Sequence, residues 1–284
     1  MNINWFPGHM KKTMDDLSTK ANMIDFMIEM LDARIPFSSQ NPKLSDLLPD
    51  KNRLVLINKS DLADPKMNQE WLDRLNGEMN TRALLYNSKD SKMKKLLKQE
   101  AYKLNQDLLE KKEKRGLKNH SLRAMVIGIP NVGKSTFINS YIGKKSAKIG
   151  NRPGVTRTNQ WIRLGDGIDL LDTPGVLWPK FENESVAKHL AYVGSIKDEL
   201  LDLETLSLHF IQEILDIDPK ILERRYGIKT DLTPLEVLDE IGKSRGAIMR
   251  GGYIDYEKVS NLLFDDFRKG RLGRITLEDA HEWM

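Results

Sequence analysis

The chain has 284 residues, 39% of them hydrophobic and 30% charged, the balance of a folded protein with a packed core. It contains no cysteine, which excludes disulfides and thiolate zinc sites and suits a reducing, cytoplasmic setting. Its net charge of +4 divides unevenly: residues 177–284 hold 15 basic against 21 acidic side chains, a net of −6, leaving 30 against 20, a net of +10, for residues 1–176. The first part is therefore the one suited to an anionic partner. The opening MNINWFPGHMKK has no apolar signal core, and no window approaches the ~18 apolar residues that span a bilayer, so no membrane partner is expected.

Short apolar runs alternate with amphipathic stretches in the first half, the rhythm of βαβ units. NMIDFMIEMLDAR (22–34) reads as a buried strand that leaves the sheet at Asp32, and NRLVLINKSDL (52–62) as a second strand ending in a polar loop. PKMNQEWLDRLN (65–76) has helical spacing, with Trp71, Leu72 and Leu75 on one side, and TRALLYNSKD (81–90) gives a third strand. The stretch 93–120 starts as an amphipathic helix and decays into a lysine-rich segment that reads as a solvated linker. A strand, a glycine loop and a helix follow over 122–143. Next come a Gly/Pro loop running into a strand (151–164) and a strand ending in a turn (167–177).

Beyond about residue 180 helical periodicity takes over. Val186, Leu190 and Val193 share one face, as do Leu203, Leu206, Phe210 and Ile214 in the next helix. TPLEVLDEIG starts another, with Thr233 as cap, Pro234 in the first turn and Glu236 completing a capping box. EKVSNLLFDDFRKGRLG and TLEDAHEWM extend what reads as a compact helical domain. The expected division is residues 1–179, including an N-terminal segment 1–21, and residues 180–284.

GIPNVGKST (128–136) fits G-x4-G-K-[ST] between a strand and a helix, the setting in which backbone N–H groups and a helix N-terminus cradle phosphates. Pro130, Asn131, Val132, Gly133, Lys134, Ser135 and Thr136 are the candidate phosphate contacts. Lys134 reaches the β- and γ-oxygens, and the Ser135 hydroxyl suits magnesium. DTPG (172–175) ends a later strand, where Asp172 is suited to hold magnesium through water and the Gly175 N–H to meet the γ-phosphate. Thr156, in RPGVTRT, lies between these two motifs and is placed to close on magnesium and the γ-phosphate, making residues 145–160 a switch.

NKSD (58–61) stands ahead of the phosphate loop, not behind it. Asp61 can accept from guanine N1–H and the 2-amino group, Lys59 can lie over the base, Asn58 can tie the loop down, and Ser60 completes it. Adenine lacks both donors, and a buried Asp61 left unpaired costs about 2–3 kcal/mol. NSKD (87–90), after the next strand, supplies Asn87, Ser88 and Lys89 near the guanine O6.

Each of these motifs ends a strand, and their order resembles that of the circularly permuted GTPases, with base reader first, phosphate loop next and switches last. The implied fold is an α/β P-loop GTPase with a mainly parallel sheet, followed by an all-α domain. WFPGHMKK (5–12), DARIPFSSQNP (32–42), NKSDL, GIPNVGKST, RPGVTR and LLDTPGVLWP together resemble the ribosome biogenesis GTPase A family closely over residues 5–179. The helical part matches by less specific motifs. Two related permuted families fit poorly, one because it carries a zinc finger, the other because residues 1–21 leave no room for its β-barrel.

The resemblance implies GTP hydrolysis in assembly of the large ribosomal subunit, contact with its rRNA, release after turnover, and a monomer. Val176 follows Gly175 where many GTPases have a glutamine that orients water, so another group must serve. His9 in PGHM is the candidate, with Lys134 and Thr156 as its catalytic companions. His120, His189, His209 and His281 read as structural. Asn131 resembles the asparagine of potassium-activated GTPases, although a turn residue would look the same. Residues 243–274 carry 8 basic and 4 acidic side chains with Tyr253, Tyr256, Phe264 and Phe267 interleaved, a composition suited to RNA or to a helical core. A protein-binding switch and a GTPase acting on tRNA or the small subunit remain alternatives at this stage.

Overall fold

The computed structural model describes residues 15, 17–43, 48, 50–87, 90, 92–117, 121–142, 160–163, 167–175, 177–178, 181 and 183–283. His9, Ser88, Lys89, His120, Thr156 and Val176 lie outside these residues.

Six strands form one sheet in the order β3-β2-β1-β4-β6-β5: β1 (Phe26–Asp32), β2 (Asn52–Asn58), β3 (Thr81–Tyr86), β4 (Leu122–Gly128), β5 (Gln160–Arg163) and β6 (Ile168–Asp172). All neighbours are parallel except β5, which runs antiparallel to β6 at the edge. Every residue of β1 is buried, the continuous apolar reading of a central parallel strand covered on both faces. The chain moves outward from β1 through β2 to β3, then returns to place β4 on the other side of β1. That reversal opens a crevice at the carboxyl ends of the strands, the usual ligand position in such sheets.

Helix α1 (Pro65–Asn76) begins where Asp64 accepts from the N–H groups of Lys66 and Met67, and it buries Trp71 and Leu75. The lysine-rich stretch is helical where a linker was expected. Helix α2 (Met93–Leu104) breaks at Asn105, and α3 (Gln106–Lys114) continues, with Lys112 ion-paired to Asp25 at 2.7 Å. Helix α4 (Lys134–Ile142) follows the phosphate loop and buries Phe137 and Ile138.

Among the described residues after β6 the named elements are helices, α5 (Glu184–Tyr192), α6 (Leu203–Ile217), α7 (Lys220–Tyr226), α8 (Pro234–Ser244) and α9 (Tyr256–Arg268), with one isolated antiparallel bridge between Ile248 and Ile254. The Thr233 and Glu236 capping box is present. Val186, Leu190, Val193, Leu206, Phe210 and Ile214 are all buried. Phe264 and Phe267 are also core residues, their ring centroids 5.6 and 4.9 Å from Phe210. They are therefore not available to stack on RNA. Tyr256 donates its hydroxyl to Asp239 at 2.8 Å, which leaves Tyr253 as the exposed aromatic of that stretch.

Residues 271–283, read as part of the helical domain, are turns and extended chain without a helix. They run back across the sheet part, because their polar groups find partners there: Ile275 N–H donates to Leu62 O at 3.0 Å and Leu277 N–H to Arg34 O at 2.8 Å. The Thr276 hydroxyl accepts from Asp64 N–H at 3.1 Å, and Trp71 Nε1 donates to Glu278 O at 2.9 Å. Ala280 joins the apolar cluster formed by Leu31, Val55, Ile57, Trp71 and Leu75.

Glu278 is the centre of a buried polar cluster. It accepts from the backbone N–H groups of Phe37 (2.6 Å) and Ser38 (3.1 Å), from the Ser38 hydroxyl, and from His189 Nδ1 at 2.8 Å. His189 Nε2 faces Glu213 at 3.1 Å, and the Tyr192 hydroxyl donates to the same carboxylate at 3.0 Å. Burial alone would lower the His189 pKa, but hydrogen bonds to Glu213 and Glu278 outweigh it and push it up to about 9. His189 thus has the packing role its sequence suggested, as a buried cation between two carboxylates.

Candidate nucleotide site

Strand register brings the motif residues together. Asp32 lies opposite Asn58 between β1 and β2, Asn58 opposite Tyr86 between β2 and β3, and Val126 opposite Asp172 between β4 and β6. The loops leaving these strands therefore open on the same edge of the sheet.

The base-reader and phosphate loops are joined directly. Asn58 Nδ2 donates to Val132 O at 2.7 Å, and Lys59 Nζ donates to Asn131 O and Asp32 Oδ2, each at 2.9 Å. Lys59 and Asn131 both adopt a left-handed backbone with φ of 60°. Gly133, at φ 110°, packs so closely beneath Asn58 that a β-carbon would collide with its amide. Asn58→Ala should lower affinity for GDP and GTP about tenfold, the effect of one lost hydrogen bond of roughly 1–1.5 kcal/mol. Fluorescent-nucleotide titration checks this, and unchanged affinity would mean the phosphate loop holds its shape unaided.

Asp32 was not singled out by its sequence. Its carboxylate binds Arg34 Nη2 at 2.7 Å as well as Lys59. Burial would raise its pKa, but the two cations outweigh this and hold it well below the usual carboxylate range. Its position at the end of β1, matching Asn58 at the end of β2, was the available signal. Asp61 is half-buried; Arg274 Nε donates to its backbone oxygen at 3.3 Å, and Asn68 Nδ2 to that of Ser60 at 2.9 Å. The Ser60 hydroxyl donates to Tyr86 O at 3.3 Å, tying the loop to the end of β3 beside Asn87.

On the phosphate side, Lys134 Nζ donates to the carbonyls of Gly128 (2.8 Å) and Ile129 (3.1 Å). Burial lowers its pKa to about 8 against the opposing pull of Asp172. Burial raises Asp172 to about 6, opposed by Lys134 and the Thr173 N–H. Asp172 Oδ1 is buried without a hydrogen-bond partner among the described residues. That acceptor, at the carboxyl end of β6, fits a magnesium-bound water, with Ser135 at the start of α4 as the direct oxygen donor. Gly175 lies against the loop, where a β-carbon would sit 2.8 Å from Pro130 Cα and 3.1 Å from Lys134 Nζ.

Two further contacts were not legible in the motifs. Asn131 Nδ2 donates to Gly194 O at 2.6 Å, and the Ser195 hydroxyl donates to Pro130 O at 2.9 Å. The turn after α5 thus rests on the phosphate loop.

A glycine-rich phosphate loop at the reversal of a parallel sheet, joined to a base reader that precedes it in the chain, defines a circularly permuted P-loop GTPase. A family model described as 50S ribosome-binding GTPase matches residues 123–236. Ribosome biogenesis GTPase A of Priestia megaterium is 41% identical over 286 residues, covering 99% of this chain and 98% of the relative. Probable ribosome biogenesis GTPase A of Mycoplasma pneumoniae is 32% identical, covering 97% and 96%. The solved GNP-bound YlqF from T. maritima is similar, with a TM-score of 0.65, 26% identity and coverage of 95% of this chain and 97% of that one. The chain belongs to the ribosome biogenesis GTPase A family. It is a GTPase of ribosome biogenesis that binds guanine nucleotides and hydrolyses GTP. No helix among the described residues is long and apolar enough to cross a membrane.

Proposed function

We propose that the protein binds the maturing large ribosomal subunit and its rRNA in the GTP state, as a cytoplasmic monomer, and leaves after hydrolysis that the particle stimulates. The observation that carries this reading is the direct seating of the helical part on the nucleotide loops. Gly194 and Ser195 touch the phosphate loop, and residues 274–277 hold the base reader. A change at the γ-phosphate therefore has a short mechanical path to the surface offered to the particle. The 50S ribosome-binding description of the matching family model favours the large subunit as that partner.

In this reading Asp61 accepts from the guanine edge, with Lys59 over the base and Asn58 and Ser60 fixing the loop. Asn87, Ser88 and Lys89 line the O6 side. Residues 130–136 and the Gly175 N–H surround the phosphates, and Lys134 moves from the loop carbonyls to the β- and γ-oxygens. Ser135 and Thr156 would hold magnesium directly and Asp172 through water, and the ion would supply charge neutralisation at those oxygens. Asn131 uses its amide nitrogen on Gly194 O and also carries a neutral amide oxygen, a ligand type that suits potassium. His9 orients the attacking water.

GTP turnover, measured in potassium and in sodium with and without purified large subunits, tests the whole reading. The wild type should be stimulated by large but not small subunits and run faster in potassium, while His9→Ala should lose the stimulation yet keep nucleotide affinity. Equal turnover in the two salts removes potassium, and a fully active variant removes His9. No response to large subunits overturns the partner.

A further inference from the structure

A short hairpin projects between α8 and α9. Ile248 and Ile254 form an antiparallel bridge, Met249 N–H donates to Tyr253 O at 2.8 Å, and Gly252 N–H donates to Met249 O at 3.1 Å. Gly251 and Gly252 turn the tip with φ of 98° and 86°, a backbone that side chains rarely adopt. The base is anchored by buried Ala247, whose carbonyl accepts from Asp255 N–H at 2.9 Å, and by Ile254, which packs against Gly242. The hairpin is thus built as a fixed projection.

Its tip is unlike the rest of the helical part. Tyr253 is 73% exposed, its ring leaning on the Gly251 backbone, and Ile248 and Met249 beside it are about half exposed. Elsewhere in this part the aromatics Tyr192, Phe210, Phe264 and Phe267 are buried against one another. Three cations of this stretch have no ion-pair partner among the described residues, Arg250 in the turn itself, Lys258 at the hairpin base and Arg245 at the end of α8. Arg250 is exposed, Lys258 Nζ donates to Gly246 O at 3.2 Å, and Arg245 donates to Arg225 O at 2.8 Å while its guanidinium lies over Tyr226. Of the nearby acids, Asp255 caps α9 through Lys258 N–H and Asp239 accepts from Tyr256. The result is a positive, aromatic tip on a region that is negative overall.

We propose that this hairpin is a docking point for unpaired RNA, with Tyr253 stacking on an exposed base and Arg250 and Lys258 meeting the flanking phosphates. The inference rests on the proposed ribosomal partner and names the surface that meets it. An exposed π-face beside unpaired cations suits single-stranded nucleotides, because bases inside an A-form duplex offer no free face for stacking. A protein partner would gain from the apolar wings but has less use for the cations of Arg250 and Lys258, which have no ion-pair partner among the described residues.

The test uses the full chain as wild type, Tyr253→Ala, Tyr253→Phe and Arg250→Ala. Two bindings are measured: co-sedimentation with purified large subunits, and anisotropy of a labelled oligouridylate against a duplex of equal length. Tyr253→Ala should weaken both bindings about tenfold or more, as expected for one lost base stack, while Tyr253→Phe retains them. Arg250→Ala should reduce the salt dependence of oligouridylate binding by about one phosphate contact. Basal GTP turnover should be unchanged in all three variants. Wild-type binding by Tyr253→Ala overturns the proposal. So does a loss on the subunit with none on the oligouridylate, which would assign the hairpin to a ribosomal protein. If the wild type ignores large subunits but binds oligouridylate through Tyr253, the partner assignment fails and the RNA site stands.

Discussion

Asp61→Asn should lower GTP affinity about thirty- to 150-fold and transfer preference to xanthosine triphosphate. The carboxylate presents two acceptors to the N1–H and 2-amino donors of guanine, and losing a charge-assisted pair costs about 2–3 kcal/mol. An amide presents one donor and one acceptor instead, which matches the N1–H and 2-oxo group of xanthine. The loop should survive the change, because its shape depends on other groups: Asn68 binds Ser60 O at 2.9 Å, Arg274 binds Asp61 O at 3.3 Å, and Ile275 binds Leu62 O at 3.0 Å. Calorimetric titration with both triphosphates decides the matter. Undiminished GTP binding would mean that Asp61 does not face the base.

Glu278→Ala should destabilise the protein by about 3–5 kcal/mol, the range for breaking a buried ion pair from one side. The variant strips acceptors from Phe37 N–H, Ser38 N–H and the Ser38 hydroxyl, and leaves the buried His189 with Glu213 alone. At about 2–4 °C per kcal/mol for a chain of this size class, the melting temperature should fall by about 10 °C. Glu282→Ala, at an exposed position four residues from Glu278, should change stability by less than about 0.5 kcal/mol.

The same cluster fixes the sign of a pH effect. The His189 pKa rises from 6.5 to about 9 on folding, so its contribution is complete below pH 6.5 and is lost as pH climbs through 9. That contribution is about 3 kcal/mol at full strength. Wild-type melting temperature should therefore decline from pH 6.5 to 9, and the decline should be shallower in Glu278→Ala. Parallel pH profiles for the two proteins would mean that Glu278 does not hold the His189 proton.

The strands, their order of motifs and the parallel sheet were legible because each depends on local pattern. β1 and β2 are mostly apolar runs, β1 broken by Glu29, that stop at polar loops, and Asp64 and Pro65 mark the start of α1. Thr233 and Glu236 do the same for α8. What was not legible depends on partners far away in sequence. TLEDAHEWM has helix-forming composition, but the N–H of Leu277 finds Arg34 O and Trp71 finds Glu278 O, contacts that no local rule contains. Phe264 and Phe267 suited a core more readily than RNA on composition, and the structure packs both against Phe210, with Phe264 also stacked on Tyr192. In the site, glycine and lysine spacing revealed the phosphate loop. The supports from Gly194 and Ser195 are single hydrogen bonds with no spacing to betray them, and Asp32 was marked only by its place at the end of β1.

The segment 271–283 is synthesised after everything it holds. Its bonds to Ala33, Arg34, Leu62 and Asp64 close loops of more than 200 residues, the kind of contact whose entropy makes it form late. A nascent chain can therefore assemble its sheet and its phosphate loop while the base-reader loop still lacks its outer support. Only when translation has passed Thr276 and Glu278 are the clasps on residues 33–38 and 62–64 in place. Premature termination anywhere in the preceding helices thus yields a product with every nucleotide motif written in it and an unbraced guanine pocket.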